Sequence, residues 1–276
     1  MEEREPIRSL EALAAAIPDG ASLAIPADYC GVAMAATRAL ISRGAKDLRL
    51  VCVPTSGLQA DLLIGAGAVA SIETSAVALG EFGQAPRFGA AVARGQIAIK
   101  DSTCPAIHAG LQAAEKGLPF MPLRGILGSD LLAHRRDWKV IDNPFAESDP
   151  IVVLPAIAPD VALFHAPLAD REGNVWIGRR RELMTLAHAA RRTLVTVEAI
   201  SATSLFADES LAAGVIPALY VEAAIEARRG AWPLGLWDAY EADEAFLADY
   251  AAKAKTEAGF AEALGRWLAG APLAAE

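Results

Sequence analysis

The sequence has little cysteine, and the little it has is arranged neither as disulfide pairs nor as a metal site. Its 276 residues include three cysteines, Cys30, Cys52 and Cys104, with no Cys-x-x-Cys spacing. An odd set of widely spaced cysteines argues against a disulfide framework and against a zinc site built on paired thiolates. This pattern fits a reducing compartment, and we expect a cytoplasmic protein.

Long apolar runs and an excess of basic charge are also missing. No run reaches the roughly 18 apolar residues that a membrane span needs, and the acidic first five residues do not resemble a signal peptide. Lysine and arginine total 25 against 34 aspartates and glutamates, a net charge of -9. Because such a chain repels polyanions overall, we expect neither a nucleic-acid nor a membrane partner, although a local basic patch is compatible with this balance.

Several familiar catalytic and cofactor motifs are absent. There is no Walker A loop, no His-Glu-x-x-His and no Gly-x-Ser-x-Gly. The four histidines are scattered singly, which favours structural hydrogen bonding over ligation, so no metal is expected. The glycines of residues 65–67 superficially match the dinucleotide fingerprint. They follow a predicted helix, whereas the fingerprint follows a strand, so we do not expect NAD to bind.

Short apolar strands alternate with alanine- and leucine-rich helices along the chain. This alternation predicts βαβ units in an open, mainly parallel sheet, within an α/β fold. A proline-containing, charged stretch near residues 146–150 could separate two lobes, but we predict one α/β domain over residues 1–276. Near the C-terminus, the apolar spacing of residues 246–250 and 260–267 predicts two amphipathic helices that pack on the sheet or on a partner.

Residues 117–130 form the most distinctive segment, with two prolines among apolar residues and one cation, Arg124. The prolines exclude a central strand or a helix interior, while the apolar neighbours require burial, so we predict a buried loop. Arg124 could make a bidentate contact with a carboxylate, or it could hold the loop by binding backbone carbonyls.

Two loops follow predicted strands at the edge where open α/β sheets bind ligands, and they span residues 26–32 and 54–57. Their backbone N–H groups could face an anion or a carbonyl oxygen, although an ordinary βα turn explains each loop equally well. We therefore take as candidate substrate-binding residues Tyr29, Cys30, Gly31 and Ser56.

Glu81 is the candidate catalytic residue of this chain. Glycines at 80 and 83 predict a tight turn that presents its carboxylate, with Phe82 beside it, to a cleft. Ion pairing with Arg87 or Arg124 is the structural alternative.

Cys104 is a further candidate, because it lies just before a helix predicted to begin at Ile107. A helix start favours a thiolate, yet a buried and unreactive cysteine is the commoner outcome.

Three segments, residues 81–88, 117–130 and 168–174, resemble the A subunit of family I coenzyme A transferases, in particular the glutaconate CoA-transferase branch. The resemblance runs from about Leu10 to about Leu268. It implies the family's three-layer α/β architecture, an acyl-CoA thioester and a carboxylic acid as substrates, and no permanently bound cofactor. Glu81, Phe82, Cys104 and Arg124 would line the substrate site alongside the two loops.

In this family a glutamate attacks the acyl-CoA carbonyl, forms an enzyme-bound CoA thioester and passes CoA to a second acid. That glutamate belongs to the B subunit, in a Glu-Asn-Gly setting. No such tripeptide occurs here, and the Glu-Gly-Asn of residues 172–174 matches a turn of the A subunit. The resemblance therefore implies half an enzyme, paired with a homologous B subunit in an αβ complex or in a dimer of such pairs.

Two alternatives remain open. A steroid-ring-opening branch hydrolyses cyclic CoA thioesters and resembles this chain around residues 110–112 and 118–120. That branch carries a catalytic glutamate near the position of Cys104, and its absence here weighs against hydrolysis. The third interpretation is a small-molecule-binding module without enzymatic activity. The family's first loop is usually rich in glycine, whereas this one carries Asp28, Tyr29 and Cys30, which indicates a differently shaped pocket.

Overall fold

A computed structural model describes residues 7–270, and the acidic N-terminal stretch lies outside the described residues. The strands, in chain order, are β1 (Ser22–Pro26), β2 (Leu48–Val53), β3 (Val69–Thr74), β4 (Ala98–Asp101), β5 (Phe120–Leu123), β6 (Lys139–Asp142), β7 (Pro150–Pro155), β8 (Val161–Asp170), β9 (Val175–Trp176), β10 (Thr193–Ser201), β11 (Val215–Ile216) and β12 (Ala223–Glu226). The α-helices are α1 (Leu10–Ala15), α2 (Met34–Arg43), α3 (Leu58–Gly65), α4 (Pro86–Ala93), α5 (Cys104–Glu115), α6 (Leu131–His134), α7 (Arg181–Ala189), α8 (Glu209–Ala212), α9 (Glu244–Lys253) and α10 (Glu257–Leu268).

The predicted open, mainly parallel sheet is confirmed. One sheet runs in the order β11-β9-β8-β1-β2-β3-β4, and β10 pairs with both β8 and β12. All of its pairings are parallel except those that β9 makes with β8 and β11. A separate antiparallel sheet has the order β5-β7-β6. The chain thus brings the carboxyl ends of β1, β2, β3, β8 and β10 to one edge.

Helices cover both faces of the large sheet, because its strands alternate between two apolar cores. Leu23 and Leu50 face a core that also contains residues from α1, α2, α3, α9 and α10. Ala24 and Val51, one position along, face a second core with residues from α5 and α7. Burial on both faces explains why these strands are continuously apolar.

The segment 117–130 is not the buried loop that its prolines and apolar residues predict. Part of it is strand β5, which pairs only with β7 and so forms an edge of the small sheet. Proline is tolerated at an edge because the missing N–H costs no ladder hydrogen bond on the open side. Phe120 is 47% exposed and Leu118 is 43% exposed. Alternate residues such as Met121 still pack on the small core beneath them.

The two predicted C-terminal helices are present as α9 and α10, and they pack back on the core of α3. Phe246, Tyr250, Phe260 and Trp267 are buried there. The Tyr250 hydroxyl donates a 2.7 Å hydrogen bond to the Asp61 carboxylate, which anchors α9 to α3.

Some boundaries differ from the sequence prediction. Helix α5 begins at Cys104, three residues before the predicted Ile107, because the Thr103 hydroxyl accepts from the Ala106 N–H and caps the helix there. Pro105 suits the first turn, where its missing N–H has no intrahelical partner to lose. Gly65 ends α3, so residues 65–67 do follow a helix, as predicted.

We expect Gly31→Ala to destabilise the protein far more than Gly44→Ala. The two glycines have φ values of 76° and 75°, but a Cβ on Gly31 would lie 2.1 Å from the His165 carbonyl oxygen, whereas nothing lies within 4 Å of one on Gly44. Backbone strain should therefore cost about 1–2 kcal/mol in both variants, and steric overlap should add more than about 2 kcal/mol to Gly31→Ala alone. Urea denaturation measures both, and equal losses would contradict the close approach.

Candidate functional site

The main cavity, of about 870 Å³, opens at the carboxyl end of β1. Its walls come from the β1–α2 loop, from the turn after β3, and from a segment between β12 and α9. The β1–α2 loop contributes Asp28 and Tyr29, and the turn after β3 contributes Glu81 and Phe82. The segment between β12 and α9 contributes Trp237 and Tyr240. The structure therefore brings together three of the predicted site residues, Tyr29, Glu81 and Phe82.

Glu81 lies in the tight turn that its neighbouring glycines predict. Gly80 and Gly83 have φ values of 59° and 95°, and the Leu79 N–H donates 2.8 Å to the Gly83 carbonyl. The Glu81 side chain is exposed to the main cavity. Neither arginine of the structural alternative pairs with it, because Arg87 contacts Glu257 at 2.6 Å and Arg124 pairs with Asp149.

In the sequence Asp28 marks only a departure from a glycine-rich first loop, but in the structure it is a chemically distinctive group of the main cavity. Its Oδ2 accepts from the Leu58 N–H at 3.0 Å, while its buried Oδ1 has no hydrogen-bond partner within residues 7–270. A Cβ on Gly57 would lie 2.2 Å from Oδ2, so only glycine allows this approach. Burial is the main cause that raises the pKa of Asp28 from 3.8 to about 6. The carboxyl group can therefore hold or release a proton close to neutral pH.

Three predicted residues, Cys30, Gly31 and Ser56, lie behind the main cavity and do not line it. The Cys30 thiol donates a 2.5 Å hydrogen bond to Oε1 of Glu182. Burial and this bond both raise the pKa of Cys30, which keeps the thiol neutral. Ser56 is buried as well.

A second opening, the small cavity of about 370 Å³, lies on the other side of Tyr29, between α5 and α7. Its lining includes Pro54, His108 and Glu182. Tyr29 is 72% exposed and borders both cavities. Burial, and then the nearby Cys30, Glu182 and Cys104 groups, raise the pKa of Tyr29.

Cys104 is exposed, one helical turn before His108 on α5. Its sulfur lies 3.1 Å from the Ser75 hydroxyl, which donates to the Pro54 carbonyl at the wall of the small cavity. The structure thus places Cys104 close to Tyr29, and not in the buried setting that the alternative prediction describes.

Arg124 lies apart from the other predicted site residues. It follows β5 on the small sheet, where its two guanidinium nitrogens pair with both carboxylate oxygens of Asp149. It lines neither the main cavity nor the small one. The bidentate carboxylate contact expected of this arginine is therefore made within its own chain.

A partly buried hydrogen-bond network holds the outer wall of the main cavity, which is the segment between β12 and α9. Glu198 on β10 accepts from His165 Nε2 at 2.8 Å, from the Tyr240 hydroxyl at 2.8 Å, and from the N–H groups of Arg229 and Gly230. Burial acts to raise the pKa of Glu198, but these hydrogen bonds outweigh it and the pKa lies below its ordinary value. The segment that carries Trp237 and Tyr240 is thereby fixed to the sheet.

Residues 7–270 contain no group of three or more His, Cys, Asp or Glu side chains that could hold a metal ion. Within the same span, no helix is long and apolar enough to cross a membrane.

We expect Asp28→Asn to change how stability depends on pH. Because the native pKa of about 6 lies above the ordinary 3.8, the folded state binds the proton more tightly, and ionisation between pH 4 and 6 lowers the free energy of unfolding. As the pH rises from 4 to 7, the free energy of unfolding of the variant should therefore increase by up to about 3 kcal/mol relative to that of the parent protein. Urea denaturation across this range measures the difference, with Asp142→Asn on β6 as a control. A difference that does not change with pH would contradict the buried, ionisable carboxyl.

Known proteins resemble this chain in sequence. The model of the coenzyme A transferase family matches residues 7–227. The A chain of the 3-oxoadipate CoA-transferase of Pseudomonas knackmussii is 35% identical over 197 residues, covering 69% of this chain and 68% of that protein. The cholesterol ring-cleaving hydrolase IpdA subunit of Rhodococcus jostii is 31% identical over 249 residues, covering 86% and 82%. An uncharacterized protein of Archaeoglobus fulgidus is 32% identical over 235 residues, and the match spans 84% of this chain but 52% of that relative.

Solved structures show the same fold. Glutaconate coenzyme A-transferase from Acidaminococcus fermentans superposes with a TM-score of 0.87 at 27% identity, over 96% of this chain and 89% of that one. A variant of the decarboxylase AibA/AibB has a TM-score of 0.82 at 32% identity, over 95% and 97%. The resemblance seen in residues 81–88, 117–130 and 168–174 is thus confirmed over most of the chain. The chain belongs to the coenzyme A transferase family, among the relatives of its A subunits.

Proposed function

We propose that this chain is the A subunit of a heteromeric CoA transferase, and that a homologous B subunit supplies the nucleophilic glutamate. The observation that carries the proposal is the chemistry of the main cavity. It has an exposed carboxylate, Glu81, and a carboxyl that takes up a proton near pH 6, Asp28. The sequence has no Glu-Asn-Gly tripeptide, the setting of the family's nucleophilic glutamate, so we infer that the nucleophile comes from another chain.

The reaction proceeds in two exchanges. The partner's glutamate carboxylate attacks the acyl-CoA carbonyl, the CoA thiolate leaves, and a mixed anhydride forms. The thiolate then attacks the glutamyl carbonyl of that anhydride, which releases the first acid and leaves CoA as a thioester on the partner. A second carboxylate reverses both steps and departs as the new acyl-CoA. Water takes no part, so a transferase site must exclude it.

In this scheme the present chain binds and orients substrate and does not react with it covalently. Tyr29 and Phe82 offer aromatic surface to the acyl group at the main cavity. Asp28 can donate a hydrogen bond to a substrate oxygen when protonated and accept one when ionised. The Glu81 side chain makes no hydrogen bond or ion pair within residues 7–270, which leaves its carboxylate available to substrate or to the partner chain.

Hydrolysis of a cyclic CoA thioester is the second candidate, favoured by the 31% identity to a ring-cleaving hydrolase subunit. The two reactions differ in their requirement for an acceptor acid. A ring-opening hydrolase consumes its CoA thioester with water alone and keeps CoA on the product, whereas a transferase does not turn over without an acceptor acid. Membership of the family argues against the third interpretation, a binding module with no enzymatic role.

We expect the isolated chain to have no acyl-exchange activity, because the nucleophile is supplied in trans. The measurement is exchange of labelled CoA between an acyl-CoA and a carboxylic acid, first with this chain alone and then with its co-purified partner. Activity should appear only in the complex, and the partner should contain Glu-Asn-Gly. Clear turnover by the isolated chain would contradict the proposal.

We expect Glu81→Gln to lower kcat of the assembled complex by more than about tenfold, or roughly 1.4 kcal/mol of transition-state stabilisation. The substitution keeps the shape of the side chain and removes only its charge. Glu147→Gln, at an exposed position that does not line the main cavity, is the matched control. A kcat equal to that of the control would contradict this prediction and would mean that Glu81 contributes only to the structure of the turn.

A further inference from the structure

Three consecutive arginines, Arg179, Arg180 and Arg181, border a third cavity of about 630 Å³ at the start of α7. We call it the basic cavity. Two indole side chains, Trp176 and Trp237, also line it. Such a run stands out in a chain whose net charge is -9.

These arginines are not neutralised within the described part of the chain. Elsewhere arginines pair with carboxylates, as Arg49 does with Asp160 and Arg192 with Glu222. Within residues 7–270, none of residues 179–181 forms an ion pair. The guanidinium of Arg180 instead lies 4.2 Å from the ring centroid of Trp237, which holds it in place. Asp238 also lines the basic cavity, so three unpaired cations face one carboxylate there, and the excess of positive charge favours an anion with several charges.

The basic cavity adjoins the other two. Arg180 and Trp237 border both the basic and the main cavity, and Arg181 borders both the basic and the small one. A long ligand can therefore place its anionic end beside the arginines while its other end reaches Tyr29 and Glu81 at the carboxyl end of β1.

We propose that the basic cavity binds the phosphate-bearing nucleotide end of the CoA thioester, an inference that rests on the proposed function. Guanidinium groups match phosphate oxygens through paired N–H donors, and CoA carries a diphosphate and a 3′-phosphate that need several cations. The indole faces supply stacking surface for the adenine ring. A small carboxylic acid carries too little charge to account for three unpaired arginines.

Binding of CoA, 3′-dephospho-CoA and pantetheine to the full chain tests the inference by isothermal titration calorimetry. Arg179→Gln/Arg181→Gln is the variant of choice, because both side chains are exposed and Arg180, stacked on Trp237, is left in place. We expect this variant to bind CoA at least about tenfold more weakly, with pantetheine binding unchanged. Arg136→Gln, an exposed arginine outside the basic cavity, should bind CoA like the parent protein.

Wild-type affinity for CoA in the double variant would overturn the inference, as would equal affinity of the parent protein for CoA and pantetheine. Either result would leave the proposed function standing if the assembled complex still transferred CoA. A complex that bound CoA through these arginines and transferred nothing would have the opposite meaning, and the proposed function alone would fail. Thermal unfolding of each variant shows whether a loss of affinity reflects a loss of fold.

Discussion

The candidate site depends on one partly buried carboxylate, Glu198. It accepts hydrogen bonds from a histidine on β8, from a tyrosine on the outer wall, and from two backbone N–H groups between them. Because an ionised carboxylate only accepts, the Nε2 of His165 must carry its proton toward Glu198, and Nδ1 faces the Thr196 hydroxyl at 2.8 Å. Loss of Glu198 would leave several partly buried donors unpaired at once, each at a cost of up to about 3 kcal/mol. The wall that carries Trp237 would then lose its attachment to the sheet.

Close backbone approaches complete the arrangement. Gly31 packs against the carbonyl of His165 and the ring of Trp237, so the first βα loop contacts both β8 and the outer wall. Gly57 lets the next loop reach the Asp28 carboxyl group, which it holds in the interior. Two glycines on neighbouring loops thus determine where the two chemically distinctive side chains, Asp28 and Tyr29, are presented. The sheet provides the edge at which the main cavity opens, and the loops determine where these two side chains lie.

Local patterns in the sequence predict much of this fold. The turn around Glu81 and the two C-terminal helices rest on short-range patterns, and the structure shows each of them. The buried loop predicted for segment 117–130 is wrong because the segment's environment, the open edge of a second sheet, depends on pairing with β7 some thirty positions along the chain. Arg124 likewise meets its partner Asp149 only through that pairing.

The site is less predictable than the fold, for a physical reason. Asp28 has the sequence context of an ordinary loop residue, because its raised pKa comes from burial by segments distant in sequence. The outer wall near Trp237 and Tyr240 has no regular secondary structure, so no periodic pattern marks it. The arginine run at residues 179–181 is visible in the sequence, but only the three-dimensional arrangement shows that it borders the same ligand space as Glu81.

The central claim is that this chain positions an acyl-CoA whose covalent chemistry occurs on another subunit. Intact-mass spectrometry of the assembled complex, incubated with an acyl-CoA and no acceptor acid, tests it most directly. Attack by the partner's glutamate should leave a CoA thioester on the partner chain, release one equivalent of the free acid, and leave the mass of this chain unchanged. A CoA adduct on this chain, or continuous release of free CoA with no adduct on either chain, would contradict the claim.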